Sequence, residues 1–117
     1  MTLTATVAVH NFLVQCAASS STTTYEEVAL ATGLPSSGNA LGATLSPILG
    51  AIFRWCQENR MPHLTSIVVR KSGADKGLPG AGFWELAGVA PNTARSEKKV
   101  MAAVFQTQVF ALYNGLQ

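Results

Sequence analysis

The sequence predicts a single α+β domain that is mainly helical, with its helices flanking a small β-hairpin. Three observations predict this class. Four stretches carry apolar residues at three- and four-residue spacing, one short stretch is rich in β-branched residues, and a glycine-rich stretch follows it. A length of 117 residues leaves room for one hydrophobic core. We expect a core unit over residues 22–88, with an N-terminal helix (1–20) and a C-terminal helix (92–115) packed together.

Two helices are predicted in the first third of the chain. The second of them, over residues 25–32, has clear ends, because Thr24 and Glu27 have the spacing of a capping box. Gly33 can adopt the left-handed conformation that ends a helix, and Pro35 prevents its continuation. The first helix is predicted over residues 3–18, where the apolar stripe consists of Leu3, Val7, Phe12, Leu13, Val14 and Cys16.

A third helix is predicted to begin at Gly38, capped by Ser36 or Ser37, with first turns built from small residues. Pro47 is expected to break or kink it, since proline lacks the backbone donor of a helix interior. A second, stronger helical segment is predicted over residues 48–59.

The clearest strand covers residues 64–71, which are β-branched and bounded by proline and glycine. Residues 72–82 hold four glycines and are expected to form a long hairpin tip or an irregular loop. Phe83 and Trp84 follow either as the return strand or as an anchoring aromatic pair. Residues 95–113 have the apolar spacing of an amphipathic helix.

Two short helices joined by a Gly-Leu-Pro turn and followed by a hairpin have the chain order of a winged helix-turn-helix. Residues 22–82 also resemble the DNA-binding domain of the alkyltransferase-like proteins. The resemblance rests on Thr24-Tyr25-Glu26-Glu27-Val28-Ala29, Gly33-Leu34-Pro35, Ala40-Leu41-Gly42 and Ile67-Val68-Val69 before a glycine-rich loop. It implies a non-catalytic module that inserts its third helix into a DNA groove.

The chain departs from that family at two places. The family's Pro-Cys-His-Arg segment is absent, because the corresponding strand reads Ser66-Ile67-Val68-Val69-Arg70, so alkyl transfer is excluded. Asn39 stands where the family places an arginine.

Residues 62–69 and 77–83 also look like an uncharacterised group of small bacterial and phage proteins.

The candidate DNA-contacting residues form two groups, one near the start of the third helix and one in the predicted hairpin. Asn39 can hydrogen-bond adenine through two atoms, although an asparagine there is also a common cap or a solvated side chain. The cations of the predicted hairpin would bind DNA phosphates. The alternative is that these side chains are simply solvated and bind nothing. The full set is Ser36, Ser37, Asn39, Thr44, Arg70, Lys71 and Lys76.

A second candidate surface would bind a ligand or a partner. Trp84 is either a core anchor or, if exposed, a stacking surface for a base. The helix dipole disfavours cations near the start of a helix, yet Arg95, Lys98 and Lys99 open the last predicted helix. Their presence there indicates either an acidic partner or a simple exposed face. The residues of this surface are Phe83, Trp84, Arg95, Lys98 and Lys99. The alternative function is therefore a protein- or small-ligand-binding module, for example a phage-encoded inhibitor of a host defence system.

Composition argues against several classes. Hydrophobic residues make up 48% of the chain, charged residues 12%, and the net charge is +2, which excludes a disordered chain and a coiled coil. With so few charges, we expect an exposed apolar patch and a homodimer formed through the first and last helices. No stretch is long and apolar enough for a membrane span.

We also expect no enzymatic activity, no metal and no cofactor. His10 and His63 have no Asp or Glu at triad or metal spacing, and the glycine-rich loop lacks the Lys-Ser/Thr of a phosphate-binding loop. Cys16 and Cys56 are expected to be buried free thiols, which fits a reducing cytoplasm.

Overall fold

The computed structural model describes residues 3–114, which form a mainly helical α+β fold with a two-stranded parallel sheet. Residues 1, 2 and 115 and the side chain of Leu3, all included in the predictions above, lie outside what is described. The elements in chain order are α1 (Leu3–Ala18), β1 (Thr23–Thr24), α2 (Tyr25–Thr32), α3 (Gly38–Glu58), a 3₁₀ turn (Leu64–Ile67), β2 (Val68–Val69), α4 (Ala81–Leu86) and α5 (Arg95–Asn114).

The predictions for α1, α2 and α5 are confirmed. The Thr24 hydroxyl accepts a hydrogen bond from the Glu27 N–H, and the Glu27 carboxylate accepts one from the Thr24 N–H, so the capping box is complete. Gly33 ends α2 in the left-handed region at φ 74°. In α1, however, Val7 is exposed, and the core-facing positions are instead Val9, Leu13 and Ala17.

Of the two outcomes expected at Pro47, a break or a kink, the break is wrong, because α3 runs through it as one helix of 21 residues. Proline at this position removes one helical hydrogen bond, that to the carbonyl of Ala43, which is exposed to water. The buried stripe continues on both sides of Pro47, and its packing outweighs the lost bond. Its members are Leu45, Ile48, Ile52, Phe53 and Cys56.

The predicted hairpin is also wrong. Residues 64–69 are all buried, so this segment passes through the interior. It lacks the alternation of buried and exposed side chains that a strand with one solvent-facing side would show. β2 pairs with β1 in parallel, with Thr23 opposite Val68 and Thr24 opposite Val69. Phe83 and Trp84 lie in α4, not in a return strand, and the glycine-rich segment closes through one bridge between Arg70 and Lys76.

The buried residues form two clusters. The larger joins α1, α3, β2 and the C-terminal half of α5. The smaller joins Phe53 of α3, Phe83 and Trp84 of α4, and Ala102 of α5. The Trp84 indole N–H donates to the Pro79 carbonyl at 3.0 Å, which anchors α4 to the segment before it. None of the helices described is long and apolar enough to cross a membrane.

Candidate functional site

A cleft of about 420 Å³ opens between the start of α2, the middle of α3, the residues that follow β2, and the start of α4. Its apolar lining includes Leu45, Leu49 and Phe53 of α3 and Phe83 of α4. Its polar lining includes the side chains of Tyr25, Glu26, Ser46, Thr65, Arg70 and Lys71. An apolar cavity with a few polar groups is the usual form of a small binding site.

Thr65 is the unusual member of this lining. The residue is only 5% exposed, and within residues 3–114 its hydroxyl has no hydrogen-bond partner. An unpaired buried hydroxyl costs roughly 1–3 kcal/mol of folding stability. A ligand that offered a donor or acceptor in the cleft would recover part of that cost.

Tyr25 fixes the opening of the cleft. Its phenolic hydroxyl accepts a hydrogen bond from the backbone N–H of Gly80 at 2.7 Å, which joins the start of α2 to the cap of α4. Burial raises the pKa of Tyr25, so the hydroxyl stays protonated and neutral. A Cβ at Gly80 would lie 2.8 Å from that hydroxyl oxygen, which explains why glycine stands there.

The cations near the cleft come mainly from residues 70–76, which we call the basic loop. Arg70 and Lys71 line the cleft, and a bridge to Arg70 brings the backbone of Lys76, the third cationic residue of the loop, close to them. Asp75 is the loop's acidic residue, and it accepts a hydrogen bond from Arg95 Nε at 3.0 Å. That bond lowers the pKa of Asp75 and occupies its carboxylate outside the cleft.

The predicted α3 residues lie elsewhere. Ser37 is the N-cap of α3 without a side-chain cap bond, Asn39 is exposed in the first turn, and Ser36 and Thr44 are half-buried. None of the four lines the cleft. The structure therefore places Arg70 and Lys71 in the cleft lining, with the Lys76 backbone bridged to Arg70, whereas none of the four residues near the start of α3 joins them in that lining.

The predicted partner surface is divided in the same way. Phe83 and Trp84 are 7% and 4% exposed, so Trp84 is a core anchor and only Phe83 reaches the cleft lining. Lys98 Nζ lies 5.9 Å from the centre of the Trp84 ring, and Arg95 binds Asp75. Lys99 is exposed.

The polar residues of the cleft lining that sequence reasoning missed include Tyr25, Ser46 and Thr65. Thr65 carries the one signal that could have been noticed, because Thr65 and Ser66 place two hydroxyls between Leu64 and Ile67 in a segment that is otherwise apolar.

The two histidines are packed among aromatic rings. His63 stacks on Phe53 with ring centres 4.6 Å apart, and His10 meets Trp55 edge-on at 5.4 Å. Burial lowers the pKa of both, so they are neutral at pH 7. Over residues 3–114, no cluster of His, Cys, Asp and Glu could hold a metal ion. Both cysteines are free thiols, Cys56 buried and Cys16 half-buried.

Comparison with known proteins finds no matching family model, no matching curated protein and no matching solved structure.

Proposed function

We propose that this protein is a non-catalytic DNA-binding module in which α2 and α3 act as a helix-turn-helix. α1, α2 and α3 contact one another as a three-helix unit, and a tight turn from Gly33 to Ser37 joins α2 to α3. In this winged-helix-like arrangement the basic loop takes the place of the wing. Its cations would bind phosphates while the N-terminal half of α3 enters a groove.

The observation that carries this proposal is the position of the basic loop across the cleft from α3. Arg70 and Lys71 face the α3 residues Gly42 and Ser46 over the same cleft. Residues 36–53 carry no charged side chain, and the first turns of α3 expose Asn39, Ala40, Gly42 and Ala43. Small exposed residues allow a close approach to base edges, and the loop supplies the electrostatic attraction that α3 lacks.

The test compares variants of the basic loop with a control outside it. Arg70→Ala and Lys71→Ala are each expected to weaken binding to all duplex sequences and to reduce the salt slope by about 1. Lys99→Ala removes an exposed cation from the start of α5 and is expected to leave both quantities unchanged. Equal losses from all three variants would show only non-specific attraction to net charge and would contradict the proposal.

A second candidate function is favoured by the unpaired hydroxyl of Thr65. The apolar walls, a volume of about 420 Å³ and one buried polar group suit a small planar ligand such as a nucleobase. Isothermal titration with the common nucleoside monophosphates tests it. Binding that Thr65→Val weakens would support a ligand site, whereas no heat from any of them would remove this candidate.

A further inference from the structure

The charged residues of this chain occupy only part of the molecule. Every charged side chain lies between Glu26 and Lys99, so α1 and residues 100–114 of α5 have none. These two helices are far apart in sequence, yet they pack against each other. Because the two helices are in contact, we treat their exposed residues as one surface without charge, which we call the uncharged face.

The uncharged face is also unusually apolar for an exposed surface. Val7 is 48% exposed, Val100 is 65% exposed and Val104 is 50% exposed, and these are among the most exposed large hydrophobic residues described. The remaining exposed positions of the face include the neutral polar side chains of Asn11, Gln15 and Thr107. Isolated surface valines are common, but a two-helix face with no charge is typical of an interface.

We propose that the uncharged face is the interface between two copies of this chain, related by a two-fold axis. In such a dimer each residue near the axis meets its own copy, so any charge there would meet the same charge. A face without charges avoids that repulsion. Asn11, Gln15 and Thr107 each contain donors and acceptors, so they can pair with the same residue of the second copy.

The size of the face fits a weak association with a second copy of the chain. At 1.5 Å per residue, the 16 residues of α1 extend over roughly 24 Å, and packed helix axes lie about 8–10 Å apart. The two helices thus present roughly 24 by 20 Å, and the accessible area of their ridged surface exceeds that projection. That projection, roughly 480 Å², is below the roughly 800 Å² that each partner buries in a standard interface and lies in the range of weak, transient interfaces. We expect a dimer that dissociates on dilution.

The dimer leaves the candidate site open. The cleft is lined by α2, α3, α4 and the residues around β2, and no residue of α1 or α5 lines it. Each copy would keep its cleft and its basic loop free. This inference therefore stands apart from the proposed function, and either can fail without the other.

Sedimentation equilibrium over a range of protein concentrations tests the interface. The wild-type chain is expected to approach twice the monomer mass with increasing concentration. Val104→Glu and Val7→Glu each place a charge on the face and are expected to reduce the mass to that of the monomer. The matched control is Leu30→Glu on α2, because Leu30 is 69% exposed and lies outside the face.

Three results would overturn the assignment. The first is a wild-type chain that stays monomeric at every concentration. The second is a dimer that neither Val104→Glu nor Val7→Glu affects. The third is a dimer that Leu30→Glu dissociates as fully as the face variants, which would indicate general apolar association. Circular dichroism of each variant checks that it remains folded.

Discussion

The hydroxyl oxygen of Tyr25 lies 2.7 Å from the backbone nitrogen of Gly80, a hydrogen bond between residues 55 positions apart. It holds the first residue of α2 against the cap of α4 and fixes the distance across the cleft. The bond exists because Gly80 has no Cβ. A Cβ there would lie only 2.8 Å from the tyrosine hydroxyl oxygen, too close for the present geometry.

Gly80→Ala is therefore expected to destabilise the protein by about 1–3 kcal/mol, since its methyl group would be 2.8 Å from the Tyr25 oxygen. Gly82→Ala in the same helix is the control, because a Cβ there meets nothing within 4 Å and alanine favours the helix. Urea denaturation measures both. Equal stability of the two variants would contradict the account of the Tyr25–Gly80 contact.

Thr65→Val is expected to leave the free energy of unfolding unchanged or to raise it by about 1 kcal/mol, because it removes a buried hydroxyl that has no partner. Thr23→Val is the matched control. Thr23 is 3% exposed, and its hydroxyl donates to the Glu27 carboxylate at 3.3 Å, so its loss is expected to destabilise. A clear destabilisation by Thr65→Val would mean that its hydroxyl is paired in solution.

Stability is expected to fall as the pH is lowered through 6.5. Burial lowers the pKa of His10 and His63 in the folded protein, whereas the unfolded chain has ordinary histidine pKa values near 6.5. Below about pH 6.5 the unfolded state binds more protons than the folded state, which favours unfolding. The stabilisation that depends on His10 and His63 being neutral is therefore fully present only above about pH 6.5. Urea midpoints at several pH values measure the effect. His10→Phe combined with His63→Phe is expected to flatten the dependence between pH 7.5 and 5.5.

Asn39→Ala tests whether the first turn of α3 reads bases. Asn39 is exposed, so its loss is expected to leave folding unchanged. If it pairs with adenine, discrimination at one base pair falls by about 1–3 kcal/mol while the salt slope stays constant. A competition assay with duplexes of varied sequence measures this. Gln57→Ala, an exposed position near the C-terminal end of the same helix and outside the candidate set, is the control.

The sequence predicted those parts of the fold that local signals specify. The capping box at Thr24, the left-handed Gly33 and the apolar spacing of α5 are encoded within a few residues, and the structure has all three. Tertiary contacts decided the rest. Pro47 remains inside a helix because buried residues on both sides pack into one core, and Val68 pairs in parallel with a two-residue strand more than 40 positions earlier.

The candidate site shows the same division. Arg70 and Lys71 were predicted because cations before a glycine-rich stretch are visible in the sequence. Tyr25 and Thr65 were not predicted. Tyr25 gains its role from its hydrogen bond with Gly80, and Thr65 gains its role from a buried hydroxyl that has no partner among the described residues, so both depend on the folded chain.

The salt dependence of wild-type binding to random duplex DNA tests the central claim most directly. Three phosphate contacts from Arg70, Lys71 and Lys76 predict a slope of log K against log salt near roughly −2.7. Fluorescence anisotropy should then show affinity falling about 40-fold between about 50 and 200 mM salt. Absence of binding at the lower salt concentration, or binding with no salt slope, would contradict the assignment of a DNA-binding module.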